Sequence, residues 1–301
     1  MMLSEVEKGI RDFYEGLWQD PGKINRNDQD VLLGWHYGFY EKGIKTISEA
    51  MSNMNRYVGR LLDLGHEDNA HVFDAGSGVG ATSLFLAKIY PDIFFHGITL
   101  TENELKIAES LREQHLVSNV EFKQGSYMNS GFPDNYFSRI FALESAAYST
   151  NKNDFLKEMY RLLKHDGKLV IIDTFAKKYT VNSLLTNVDN YILKRNQSVD
   201  DLANYCVNID ELNSILRSLN FKGITCINLV SSGNVKKSHI YGFLIYRLFP
   251  YLSLNLKKSD GKSNLLKNQL LFPLLFLIFF IYKLLLIFYS KPGYYSIEAM
   301  K

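Results

Sequence analysis

The chain has 301 residues, 46% of them hydrophobic, which is enough to bury one large core, or one domain with a covering element. Its 34 Lys and Arg against 32 Asp and Glu leave a formal charge of +2, with no basic block or basic-aromatic stripe, and this excludes nucleic acid as a main partner. Cys206 and Cys226 lack paired spacing and the seven histidines form no ligand-spaced set with acids, so neither a disulfide framework nor a metal site is expected.

Residues 4–17 place Val6, Ile10, Phe13, Tyr14 and Leu17 at helical spacing and predict an amphipathic N-terminal helix, serving as a lid or a dimer arm. The same stretch is interrupted by charges and has no apolar signal core, which points to a cytoplasm-facing protein. After a polar stretch comes the aromatic segment LLGWHYGFYEKG (residues 32–43), then a helix over residues 44–64. From residue 71 the pattern alternates. HVFDAG is a strand, residues 81–90 a helix, FFHGITL a strand, residues 102–114 a helix, VEFKQG a strand, RIFALES a strand, residues 154–163 a helix and KLVIIDTF a strand opened by a turn at residues 165–167. Residues 177–207 read as a polar, helix-like insertion or cap. Residues 209–219 form another helix, and GITCINLV and the closing GYYSIEAM complete seven strands. The expectation is an α/β fold: a Rossmann-like, mostly parallel sheet with helices on both faces.

Two apolar stretches interrupt this order, residues 240–252 and residues 270–289. The second has the roughly 20-residue length of a membrane span. Pro273 and Lys283 break it, and the chain must still return to the sheet with GYYSIEAM. Three readings therefore stay open: a span, an in-plane helix making peripheral membrane contact, and a buried lid over a substrate. The implied division is a helical and aromatic cap (1–65), a core (66–235), an apolar insertion (236–292) and the last core strand (293–301).

The sharpest local signal is DAGSGVG, residues 74–80, between a predicted strand and a predicted helix. Gly76, Gly78 and Gly80 let backbone turn tightly and approach a ligand around Ser77, while the next helix offers unpaired N–H groups. Because Ala81 completes a G-x-G-x-x-A spacing, a dinucleotide could occupy the same loop, making a nicotinamide-linked oxidoreductase the rival reading. Asp74 separates the two: an acid two residues before the first glycine repels a pyrophosphate and suits a cationic amino group.

With FHGITLTENEL (95–105), FPDNYF (132–137), LLKHDGKLVIID (162–173) and the upstream GWHYGFYEKG (34–43), this loop resembles the class I S-adenosylmethionine-dependent methyltransferases. The likeness is to the branch holding tocopherol, sterol and cyclopropane-fatty-acid-type enzymes. It implies S-adenosyl-L-methionine as cofactor and methyl transfer to a small lipophilic acceptor such as a terpenoid, sterol, quinone or lipid, with carbon slightly favoured over oxygen or nitrogen. The cofactor set implied is Asp74, Gly76, Ser77, Gly78, Gly80, Thr99, Leu100, Glu104, Gly125, Ser126 and Tyr127. Four positions depart from the wider family's pattern: Thr99 stands where most members carry a ribose-binding acid, Gly125-Ser126 where Gly-Asp is usual, Ser138 where relatives commonly carry an acid before the fourth strand, and Tyr148 where they often carry His. For the reacting centre, Tyr37, Tyr40 and Tyr148 could face a sulfonium, and Glu144, at the carboxyl end of a strand, could orient the acceptor or take its proton. His36 is a further candidate base. A cofactor-binding protein without turnover is the remaining alternative; the sequence does not indicate an oligomeric state.

Overall fold

The computed structural model describes residues 3–17, 36–65, 70–149, 151–175, 208–233 and 293–301. The two apolar stretches, the 177–207 insertion and Cys206 lie outside these residues; Cys226 is an exposed free thiol.

Seven strands form one sheet in the order β3-β2-β1-β4-β5-β7-β6. They are β1 (His71–Ala75), β2 (Phe94–Thr99), β3 (Val120–Gln124), β4 (Phe137–Leu143), β5 (Leu163–Phe175), β6 (Lys222–Asn228) and β7 (Gly293–Met300). The first five pair in parallel, and β7 runs antiparallel to both β5 and β6. The expected mostly parallel seven-stranded sheet is therefore present. Strands buried on both faces need apolar side chains at successive positions. Val72, Phe141, Val170 and Ile172 belong to one core, with Met54, Val58 and Leu84 from the helices above. Their strand neighbours Phe73, Ile140, Ala142, Leu169 and Ile171 belong to the other, with Phe155, Met159 and Leu212.

The helices are α1 (Glu5–Leu17), α2 (Ile47–Leu61), α3 (Ala81–Ile89), α4 (Glu102–Gln114), α5 (Lys152–Leu162) and α6 (Ile209–Ser218). Helix α2 begins three residues later than the apolar spacing suggests, because Thr46 and Glu49 form a capping box that stops the backbone from winding further back. Helix α5 begins two residues earlier than expected, since Asn151 accepts from the backbone N–H groups of Asn153 and Asp154. The predicted turn at residues 165–167 is absorbed into β5, with Asp166 at φ 60°.

Strand order reverses between β1 and β4, and open α/β sheets bind ligands beyond the carboxyl ends of their strands at such a point. Among the described residues no helix is long and apolar enough to cross a membrane.

Candidate functional site

At the carboxyl end of β1 the chain must turn at once into α3. Gly76 sits at φ 101°, and a Cβ there would lie 2.5 Å from the Cβ of Ser145; Gly80, the residue before α3, sits at φ 79°, and a Cβ would lie 2.5 Å from Phe122 Cζ. These two glycines are required by backbone shape and by close approach to neighbouring elements. The loop is pinned to β2 by Ser77 N–H donating to the Ile98 carbonyl at 2.8 Å.

The loop opens onto a concave cleft, the kind of place where small molecules bind. Its walls include Asp74, Gly76, Ser77 and Gly78 from β1 and the loop; Thr99, Leu100 and Glu104 from β2 and α4; and Gly125 and Tyr127 after β3. Glu144 and Tyr148 after β4 complete one side. Four expected site residues are not among the lining residues: Gly80, Ser126, Tyr37 and Tyr40. Gly80 shapes the turn beneath the loop. Ser126 is buried, its hydroxyl donating to Glu7 of α1 and accepting from the Met128 N–H at 3.0 Å.

Tyr37 and Tyr40 are each 8% exposed, turned into packing by the way their segment lies on α2. The Phe39 N–H donates to the Ala50 carbonyl at 2.8 Å, Asn53 Nδ2 donates to the Phe39 carbonyl at 2.9 Å, and Phe39 stacks on Tyr57. Gly38, at φ 75°, permits that approach. Tyr37 then meets Tyr294 edge to face at 5.1 Å, and burial raises the Tyr40 phenol above its ordinary value.

Charge is concentrated on three carboxylates. Asp74 is 3% exposed; burial pushes its pKa up to about 7, partly offset by the Ser83 hydroxyl donating to Oδ2 at 2.6 Å. Glu104 accepts from the Thr99 and Thr101 hydroxyls, so the Thr99 side chain orients Glu104 at the cleft wall. Glu144 sits at φ 52° with its N–H donating to the Ile172 carbonyl at 2.8 Å. Its Oε1 accepts from the Tyr37 N–H and the Tyr294 hydroxyl, both at 2.8 Å. Burial and the Glu144 carboxylate raise the Tyr294 phenol well above its ordinary value.

Sequence reasoning also missed part of this wall. Ile10 and Tyr14 of α1 line the cleft, and the Tyr14 hydroxyl donates to the Tyr148 oxygen at 2.9 Å. Glu15 accepts from the backbone N–H groups of Glu102 and Asn103 at 2.7 and 3.3 Å, capping α4 from outside it. The sequence signal for this role was the spacing of Glu7, Ile10 and Tyr14 on one helix face. His36 lines the cleft as well.

Residues 66–223, more than half of the chain, match a family model described as a methyltransferase domain. The chain belongs to that family. This supports the resemblance to the class I, S-adenosylmethionine-dependent methyltransferases read from the sequence. Ajmaline N-methyltransferase of Rauvolfia serpentina is 26% identical over 181 residues, covering 56% of this chain and 59% of that protein. Erythromycin 3''-O-methyltransferase of Saccharopolyspora erythraea is 28% identical over 137 residues, covering 45% and 44%. The chain thus spans less than two thirds of the length of either relative. Geranyl diphosphate C-methyltransferase of Streptomyces coelicolor A3(2) superposes with a TM-score of 0.64 at 15% identity, covering 99% of this chain and 98% of that one. At that identity the likeness establishes the fold.

The cleft of this methyltransferase domain fits S-adenosylmethionine on its own features. The Ser77 hydroxyl is buried without a hydrogen-bond partner on the cleft wall, and Gly76 forms a cradle with no room for a side chain. A cationic amino group beside Asp74 would offset the burial that now favours its neutral form. Since α1 roofs the cleft and Glu15 ties it to α4, Glu15→Ala should speed S-adenosylhomocysteine release several-fold, with a stability loss of about 0.5–2 kcal/mol. Stopped-flow displacement measures this, and an unchanged release rate would show that α1 does not gate the ligand.

Proposed function

We propose that the chain transfers the methyl group of S-adenosylmethionine to a small acceptor with an apolar body. The observation that carries this reading is the single cleft in which Asp74, the glycine loop and Glu104 lie beside Glu144 and Tyr148. In the proposed assignment, Asp74 meets the cofactor's amino group. The backbone of Gly76 to Gly78 approaches its carboxylate end, Ser77 fills its missing hydrogen bond, and Leu100 with Glu104 serves the ribose. Gly125 and Tyr127 border the base, where Ser126 contributes only through its bond to Glu7. When bound, the cofactor supplies an electrophilic methyl group on a sulfonium. The protein's own contribution is to orient the acceptor in line with it and to exclude water, for which Ile10, Leu143 and the Tyr14–Tyr148 pair supply an apolar wall.

The named relatives methylate nitrogen, oxygen and carbon, so kinship does not choose the acceptor atom. A carbon acceptor needs aromatic faces around a developing cation. With Tyr37 and Tyr40 packed inward, Tyr148, Tyr14 and Tyr127 are the tyrosines left on the cleft wall among the described residues. The nicotinamide reading is disfavoured by Asp74, whose charged form would repel a pyrophosphate.

We also propose the division into cap, core and inserted segment drawn from the sequence. It is supported by Phe175, Asn228 and Gly293, which end or begin their strands at the carboxyl edge of the sheet, the edge that carries the cleft.

Incubation with methyl-labelled cofactor and a panel of prenylated hydroquinones, terpenoid alcohols and alkaloid amines should yield labelled product from at least one class. Tight NADH binding without S-adenosylhomocysteine binding would overturn the proposal.

A further inference from the structure

Buried polar atoms in native proteins are nearly always hydrogen-bonded, and each unpaired one costs about 1–3 kcal/mol. Both ring nitrogens of His36 are buried without a hydrogen-bond partner, and His36 lines the cleft beside Glu144 and Tyr148. The Nδ2 of Asn55 is likewise unpaired. Asn55, fully buried on α2, is the side chain that acts on the imidazole, yet the two do not meet in hydrogen-bond geometry. Its Oδ1 is taken by the Thr82 hydroxyl at 2.9 Å, and Thr82 also lines the cleft. The buried His96 is different: its two ring nitrogens meet His71 and Glu121 at 2.8 and 2.7 Å. Burial alone therefore does not explain what is missing at His36. Its backbone is held in place from the next residue, since Glu144 Oε1 accepts the Tyr37 N–H.

We propose that His36 is a catalytic residue that binds a hydroxyl group of the acceptor and takes its proton, so that the reaction is an O-methylation. This deepens the methyl-transfer reading and rests on it. In the step, a lone pair of the acceptor oxygen forms the new C–O bond as the methyl carbon–sulfur bond breaks, its electron pair staying on sulfur. The hydroxyl proton passes to the free imidazole nitrogen, and the imidazolium later releases it to water. Burial lowers the His36 pKa to about 4, which keeps the ring neutral and able to accept at physiological pH. A base that weak still suffices, because an oxygen bearing both its proton and a new methyl group is a far stronger acid than imidazolium.

The test uses full-length protein labelled with 15N in its histidine rings and saturated with S-adenosylhomocysteine. Prenylated hydroquinones and terpenoid alcohols are titrated in, each beside its deoxy analogue, with the His36 signals assigned by their loss in His36→Phe. Hydroxylated probes should move the His36 ring nitrogens and deoxy analogues should not. On a probe that turns over, His36→Phe should lower kcat/KM by about 10²- to 10⁴-fold while S-adenosylhomocysteine affinity holds. His36→Gln, which can still hydrogen-bond, should keep KM near wild type and lose kcat. The proposal fails if no hydroxylated probe moves the ring while S-adenosylhomocysteine binds, if His36→Phe keeps turnover within threefold, or if the labelled methyl is found on carbon or nitrogen. Failure of S-adenosylhomocysteine to bind folded protein would instead sink the methyl-transfer reading itself.

Discussion

Asp74→Asn should weaken S-adenosylhomocysteine binding about 10- to 100-fold at pH 8 and abolish its pH dependence. The factor is the roughly 1.5–3 kcal/mol attached to a hydrogen bond with a charged partner, converted at about 1.4 kcal/mol per tenfold. In the free protein burial pushes the Asp74 carboxyl up to about 7, so near neutrality a large fraction of the sites carries a proton. An ammonium group needs the carboxylate. Wild-type affinity should therefore rise as pH increases toward 7, falling by up to tenfold per unit below it, with proton uptake by buffer on binding. Asparagine keeps an oxygen for the Ser83 hydroxyl but cannot titrate, so its affinity should be flat. The same group has the opposite effect on folding. Between its ordinary value near 4 and about 7, the native state holds a proton that the unfolded chain has lost, so stability falls as pH rises through that window. At pH 8 the unliganded Asn variant should then melt above wild type while binding worse, a trade of stability against function. Calorimetry from pH 5.5 to 8.5, with melting curves on the same samples, reads both. Equal, pH-independent affinities would mean that the amino group binds elsewhere in the cleft.

The cofactor end of the cleft was legible because its signals are local. A strand, a glycine turn and a helix within 19 residues dictate where Asp74, Gly76 and Gly78 must lie, and they lie there. Strand alternation likewise exposed the sheet, including the two C-terminal strands, since burial on both faces leaves continuous apolar runs such as Leu169 to Ile172. The acceptor end was not legible, because it depends on how one aromatic segment lies on a helix. In His36-Tyr37-Gly38-Phe39-Tyr40 every residue except the glycine could face a ligand. The choice is made by Gly38 at φ 75° and by the bond from Phe39 to Ala50, which turn the tyrosines inward and leave His36 on the cleft wall. The contact between Glu7 and Ser126 joins residues 119 positions apart. Glu7 also closes its own helix start with Ser4, a local contact, but no spacing in the sequence points to its second partner.

Glu144 allows structural and chemical roles to be measured separately at one site. Its Oε1 accepts from two buried donors, the Tyr37 N–H and the Tyr294 hydroxyl, and Tyr294 is fully buried. Glu144→Ala leaves both donors without that acceptor and should cost about 2–6 kcal/mol, at about 1–3 kcal/mol for each group. At roughly 2–4 °C per kcal/mol for a domain of this size, the melting temperature should fall by at least about 4 °C. Glu144→Gln keeps an acceptor oxygen in the same place and should melt within about 2 °C of wild type. The φ of 52° is borne equally by Ala and Gln, so backbone strain cancels in the comparison. Turnover should behave differently. If the negative charge stabilises a proton arriving on His36, whose neighbour's N–H it holds, the well-folded Gln variant should still lose about 100-fold in kcat. Tyr294→Phe supplies the control: it removes one donor without touching the charge, and should keep kcat within a few-fold while exposing any purely structural route. A Gln variant with wild-type kcat would reduce Glu144 to a clamp on the Tyr37 backbone, and would leave His36 to act without a charged partner.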